Sequence, residues 1–170
     1  FQPEVQKAIN RIQTFEQTKS VVDAVRARGV HSVNCDLLYG LPHQTLDTLA
    51  ATVRQILTLD PDRIALFGYA HVPWMKKHQT MIKEEVLPGI EARFAQMNLA
   101  AGMLVEAGYE PVGIDHFALP SDRMAIAARE GRLRRNFQGY TTDAADMLLA
   151  FGASAIGKLP QGYVANILAL

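Results

Sequence analysis

The chain has 170 residues, 49% hydrophobic and 20% charged, which suits one soluble domain with a sizeable core. Its 17 Lys and Arg balance 17 Asp and Glu, so no excess charge points to nucleic acid or to an anionic membrane surface. A single cysteine, Cys35, excludes an internal disulfide framework and fits a reducing compartment, the cytoplasm; no apolar run reaches the length of a membrane span.

Residues 3–13 read as a short helix, with Pro3 and Glu4 in its first turn and Val5, Ile9 and Ile12 spaced for one face. Arg11 lies near its end, where the plain reading is a charge complementing the helix dipole. A second helix follows. Thr14 and Gln17 have capping-box spacing, Val21, Val22 and Val25 form the apolar stripe, and Gly29 is placed to end it in a left-handed conformation.

Residues 32–42, SVNCDLLYGLP, read as a strand that breaks at Gly40 and Pro42. Alternation sends Val33, Cys35 and Leu37 to one face and Asn34, Asp36 and Leu38 to the other. A helix over 45–59 follows, with Leu46, Leu49, Val53, Ile56 and Leu57 on one side and Asp60-Pro61 as its stop. Strand, turn and helix make half of a βαβ unit, in which polar groups at the strand's carboxyl end face the ligand crevice.

The next strand covers 63–70, and His71-Val72-Pro73 turns out of it. Residues 74–88 are lysine-rich and long for a βα connection, a place where loops often carry function. A long helix starts near Gly89, presents Phe94, Met97, Ala101, Leu104 and Val105 on one side, and ends at Gly108. A third strand begins at 110–114 within YEPVGIDHFA, and Pro120 closes that stretch. Residues 123–131 are helical. Beyond them small and turn residues dominate, with a short strand expected near 154–156.

Three strands thus end in turns of related form, LYGLP, GYAHVP and HFALP, with helices between them. Alternating strands and helices predict parallel strands with helices packed outside, either a barrel or a doubly wound sheet. No helix opens with a G-x-G-x-x-G, which disfavours a dinucleotide sheet. Asp36, Tyr69, His71, Asp115 and His116 are all expected at strand ends, with Asp36, Ala70 and His116 at one end of the sheet. His71 and His116 lack a third ligand at helical or turn spacing for a metal, and Cys35 reads as a small buried hydrophobe. Phe1 in place of an initiating Met, and the apolar run ANILAL at the other end, read as an internal piece of a longer protein.

The stretches PEVQKAINRIQ, NCDLLYGLPHQT, DRIALFGYAHVP, GYEPVGIDHFALP and RRNFQGYTT together resemble the oxygen-independent coproporphyrinogen III oxidase family of radical S-adenosylmethionine enzymes. YGLP also occurs in the related haem chaperones, which transfer haem without decarboxylation; NFQGYTT favours the oxidase. The resemblance implies an α/β fold, a partial (β/α) barrel of the radical S-adenosylmethionine type containing its later strands only. Residues 1–157 would belong to the barrel domain and 158–170 would start the connection to a C-terminal domain.

The resemblance further implies a 4Fe–4S cluster and S-adenosylmethionine as cofactors, coproporphyrinogen III as substrate, and a flavodoxin or ferredoxin system as electron donor. A 5′-deoxyadenosyl radical would take hydrogen from a propionate, and loss of carbon dioxide and an electron would leave a vinyl group; done twice, this gives protoporphyrinogen IX. Residue by residue, Arg11, Asp36, Ala70 and Ile156 match cofactor-binding positions, and Gln138 in NFQGY matches a catalytic-site position. The family's C-x-x-x-C-x-x-C run is absent from these residues, so metal ligands are expected in none of them and the chain alone is expected to be inactive. A monomer without nucleic-acid or membrane partners is expected. A hydrolase or isomerase using Asp36, Asp115 and His116 as acid–base groups is a further reading, which no spacing supports.

Overall fold

A computed structural model describes residues 1–167. The chain forms two compact units, Phe1–Gly131 and a second from Arg132 onward. The first unit opens with helices α1 (Pro3–Ala8) and α2 (Phe15–Arg26). Strand β1 (Asn34–Tyr39), helix α3 (Leu46–Leu57) and strand β2 (Arg63–Gly68) follow. Helix α4 (Ile90–Glu106), strands β3 (Glu110–Val112) and β4 (His116–Ala118), and helix α5 (Arg123–Arg129) complete it.

Local chemistry fixes the helix ends. At α2, Thr14 accepts the Gln17 amide at 3.1 Å and the Gln17 side chain accepts the Thr14 amide at 3.0 Å, so the capping box is complete. Gly29 follows at φ 81, and the Val30 amide reaches back to the Val25 carbonyl at 3.2 Å. Helix α1 is shorter than its periodicity predicts. Asn10 takes φ 51, and the Arg11 amide bonds the Gln6 carbonyl at 2.9 Å. This closes a Schellman-type end and puts Arg11 beyond the helix rather than in its last turn.

Strands β1 and β2 are parallel, with Cys35 opposite Ile64 and Leu37 opposite Leu66. These four join Leu49, Val53 and Ile56 of α3 and Ala100 and Leu104 of α4 in one core. Burying each of the Leu, Ile and Val side chains among them stabilises the fold by about 1.5–3 kcal/mol. Cys35 is buried there as alternation predicts.

The third strand departs from expectation. Residues 110–118 form a hairpin, β3 and β4, turning at Gly113 with φ 65. Strand β4 inserts antiparallel beside β2, giving the order β1-β2-β4-β3. Among the described residues only β1 and β2 are parallel neighbours. Pro111, which has no amide hydrogen to donate, sits on the edge strand β3, where the loss is tolerated.

Helix α4 is also rotated from its predicted face. Phe94 is 62% and Val105 50% exposed, whereas Gln96, Ala100 and Leu104 are buried. The row that faces inward is Arg93, Gln96, Ala100 and Leu104, and its first two members bond the strand-exit backbone described below.

The second unit contains two hairpins, β5 (Arg134–Asn136) with β6 (Gly139–Thr141), and β7 (Ile156–Leu159) with β8 (Gly162–Ala165). The strand expected near 154–156 therefore starts at Ile156, and residue 157 lies inside it. Gly157 is packed so that a Cβ would stand 2.8 Å from the Leu148 carbonyl oxygen, against which Lys158 pairs. Among the described residues no helix is long and apolar enough to cross a membrane.

Candidate functional site

The sheet face opposite the helices carries Asn34, Asp36 and Leu38, and the register sets Asp36, Ala65 and His116 in one row across three strands. Asp36 is the third residue of β1, so it stands along the strand rather than at its end. His116 Nδ1 lies 2.6 Å from Asp115 Oδ1, and its ring meets Phe67 edge-on at 6.0 Å. Tyr69 and His71 lie past the end of β2, with Tyr69 Oη 3.0 Å from His71 Nδ1, and burial pushes the Tyr69 phenol up. Asp36 and His116 thus stand along the strands and Tyr69 and His71 beyond them, rather than all at strand ends. Among the described residues no three His, Cys, Asp or Glu side chains come together to hold a metal ion.

A cavity of about 860 Å³ runs along β1, which among the described residues has no strand on its other side, and is walled by α1 and α2. Arg11, Asp36 and Ala70 all line it, with Leu38, Tyr69 and Gln79. Arg11 reaches it because the left-handed Asn10 turns the chain at the end of α1. Its guanidinium is exposed and has no hydrogen bond or ion pair among the described residues. Asp36 accepts one hydrogen bond, from Asn34 Nδ2 to Oδ1 at 2.8 Å. A cation, a carboxylate with an open oxygen and small or apolar walls suit a ligand with an anionic group, hydroxyls and a flat apolar ring system.

The strand exits around this cavity are held by side chains that periodicity does not mark as functional. Gln96, 2% exposed, accepts the Gly40 amide at 2.9 Å and donates to the Gln44 carbonyl at 2.7 Å. Gln44 accepts the Leu41 amide and donates to the Leu38 carbonyl, both at 3.1 Å. Arg93 Nη2 donates to the Tyr69 carbonyl at 2.6 Å, and the Tyr69 amide bonds the Tyr39 carbonyl at 2.8 Å. Gly40 is needed beside it: its φ is 79, and a Cβ there would lie 2.9 Å from Arg93 Nε. A glutamine at the spacing of an apolar row was the signal available in the sequence.

Gln138 and Ile156 belong to the second unit. Gln138 is exposed in the tight turn of RRNFQGYTT, where Asn136 Oδ1 accepts the amides of Gln138 at 2.9 Å and Gly139 at 3.2 Å. Arg135 stacks over the cross-strand Tyr140 ring at 5.1 Å. Ile156, first residue of β7, is 37% exposed.

No protein-family model matches the chain. It is 60% identical over 166 residues to an oxygen-independent coproporphyrinogen III oxidase of Bradyrhizobium diazoefficiens, covering 98% of this chain and 37% of that protein. A second relative of the same name, from Cereibacter sphaeroides, is 58% identical over 162 residues, covering 95% and 36%. Among solved structures, coproporphyrinogen III oxidase from Escherichia coli, described as a radical SAM enzyme, superposes with a TM-score of 0.93 at 40% identity, over 99% of this chain and 39% of that one. The chain is therefore homologous to these oxidases over nearly all of its residues, and it spans a little over a third of their length. Its α/β fold is that of part of a radical S-adenosylmethionine enzyme.

Proposed function

We propose that this chain supplies strands and part of the cofactor pocket of an oxygen-independent coproporphyrinogen III oxidase, which converts propionates of coproporphyrinogen III to vinyl groups in haem biosynthesis. The observation that carries this reading is that Arg11, Asp36 and Ala70, scattered in the sequence, line one cavity in a chain homologous to such oxidases. The residues fit S-adenosylmethionine: Arg11 would hold its carboxylate, Asp36 would accept from ribose hydroxyls or the amino group, and Ala70 would contact the adenosine. When bound, that cofactor supplies the abstraction of a hydrogen atom from the propionate side chain. Ile156 would add apolar contact and Gln138 a polar group to the active site. The residues do not fit an iron–sulfur cluster, because Cys35 is alone and buried, so no step is assigned to cluster ligands here.

The remaining assignments are a flavodoxin or ferredoxin system as electron donor, a monomeric state and a cytoplasmic location. The relatives are named oxidases, which favours the enzyme over the haem chaperone.

The test is a graft. This chain replaces the matching segment of the Bradyrhizobium diazoefficiens relative, and the product is loaded with its cluster anaerobically. The expected result is binding of S-adenosylmethionine and decarboxylation of coproporphyrinogen III. A graft that carries a full cluster yet neither binds the cofactor nor releases carbon dioxide would overturn the reading.

A further inference from the structure

Among the described residues the buried glutamines are Gln44, Gln79 and Gln96. Gln44 and Gln96 hold the turn leaving β1, as described above. Gln79 stands at the other exit. It is carried by a short 3-10 helix, Lys77–Met81, within the lysine-rich connection that follows β2, and it is 8% exposed. Its Oε1 accepts the Val72 amide at 2.6 Å, and its Nε2 donates to the Ala70 carbonyl at 3.1 Å. With Arg93 on the Tyr69 carbonyl, side chains from outside the strand take up polar backbone groups at 69, 70 and 72.

We infer that Gln79 is a positioning residue of the cofactor pocket: its carboxamide fixes the backbone from Ala70 to Val72 and so sets where Ala70 meets the ligand. This rests on the reading above, in which Ala70 contacts S-adenosylmethionine. The residue type is dictated by chemistry. The site needs one donor and one acceptor on the same planar group, close to neutral pH. A carboxamide provides both, whereas a carboxylate accepts only and would press an oxygen against the Ala70 carbonyl. A protonated carboxylic acid would restore the donor. The connection of residues 74–88 therefore has a role that its lysines do not suggest: it delivers a buried amide to the strand exit.

The grafted protein, loaded with its cluster, provides the test. S-adenosylmethionine affinity is measured by equilibrium dialysis at pH 6 and pH 8.5 for wild type, Gln79→Met and Gln79→Glu. Gln79→Met fills the space without hydrogen bonds and is expected to weaken binding about ten-fold at both pH values. Gln79→Glu is expected to be as weak at pH 8.5 and to recover toward wild type at pH 6, so the same molecule at two pH values is its own folding control. Tyr69 and His78 line the same cavity, His71 meets Tyr69 Oη at 3.0 Å, and Lys76 and Lys77 stand at the start of the short helix that carries Gln79, so the wild type measured at both pH values is the baseline. Cluster content and the KM for coproporphyrinogen III are expected to stay unchanged. Wild-type affinity in both variants, or a Gln79→Glu profile parallel to wild type, would overturn the assignment of Gln79 alone. A wild-type graft that takes up no S-adenosylmethionine would overturn the reading on which it rests.

Discussion

Asn34 Nδ2 donates to Asp36 Oδ1 at 2.8 Å, two positions along the same face of β1. The bond orients the carboxylate and leaves Oδ2 without a partner among the described residues. In the grafted protein, Asp36→Ala is expected to weaken S-adenosylmethionine binding by about ten- to a hundred-fold, since hydrogen bonds to charged groups contribute roughly 1.5–3 kcal/mol. Asp36→Asn keeps the shape and loses the charge, so its loss is smaller. Titration of the cofactor into each variant checks the order; equal effects of Asn and Ala would contradict it.

Arg11 makes no side-chain bond among the described residues, so its removal has no fold-holding contact to break. Arg11→Ala is expected to leave the thermal midpoint of the grafted protein unchanged and to lower cofactor affinity by about ten- to a hundred-fold. Unchanged affinity and an unchanged yield of 5′-deoxyadenosine would return Arg11 to the role of a solvated charge.

Gln96→Leu is expected to destabilise this chain by about 2–4 kcal/mol, because it strands the Gly40 amide and the Gln44 carbonyl in a buried place, each costing roughly 1–3 kcal/mol. The urea midpoint measures it. A midpoint within error of wild type would mean that water satisfies both groups.

Tyr109 Oη donates to the Pro61 carbonyl at 2.6 Å, and burial first, then Asp60 and Asp62, push its phenol up from 10.0 to about 12. The folded state holds this proton more tightly than the unfolded chain. The resulting stabilisation is complete below pH 10 and is lost as the pH rises toward about 12. Tyr109→Phe is expected to cost about 1 kcal/mol at neutral pH and to flatten the alkaline fall in stability. Denaturation curves at pH 8 and pH 11 for both proteins provide the comparison.

Reconstituted anaerobically with iron and sulfide, this chain by itself is expected to take up no stable 4Fe–4S cluster. Its one thiol, Cys35, is buried, and burial, then the Asp36 charge, push its pKa up and disfavour the thiolate, while Arg26 pulls the other way. Iron analysis and visible absorption decide the matter, and one cluster per chain would refute it.

Where local chemistry decides, the sequence was readable. The Thr14–Gln17 box, Gly29, the strand alternation around Cys35 and the β1–α3–β2 crossover all follow from near neighbours. Apart from α1, which the left-handed Asn10 ends locally, the failures share a cause, which is competition settled by distant partners. The run from Glu110 to Ala118 looks like one strand until β2 offers its edge to β4. The face of α4 looked apolar, but the unpaired groups at Gly40, Gln44 and Tyr69 drew Gln96 and Arg93 inward and left Phe94 out. Of the site, Asp36 was marked by the strand pattern, Arg11 and Ala70 came from resemblance, and Gln79 was hidden because a buried glutamine looks like any polar loop residue.

Strand β1 pairs with β2 on one side only among the described residues, so a row of amide and carbonyl groups along Asn34–Tyr39 is left without a ladder partner. An uncovered strand edge is a template for another copy of itself. With a formal net charge of zero near neutrality, little electrostatic repulsion keeps two copies apart. Purified by itself, the polypeptide is therefore prone to oligomerise edge to edge, and it will be handled best dilute and at a pH that gives it a net charge.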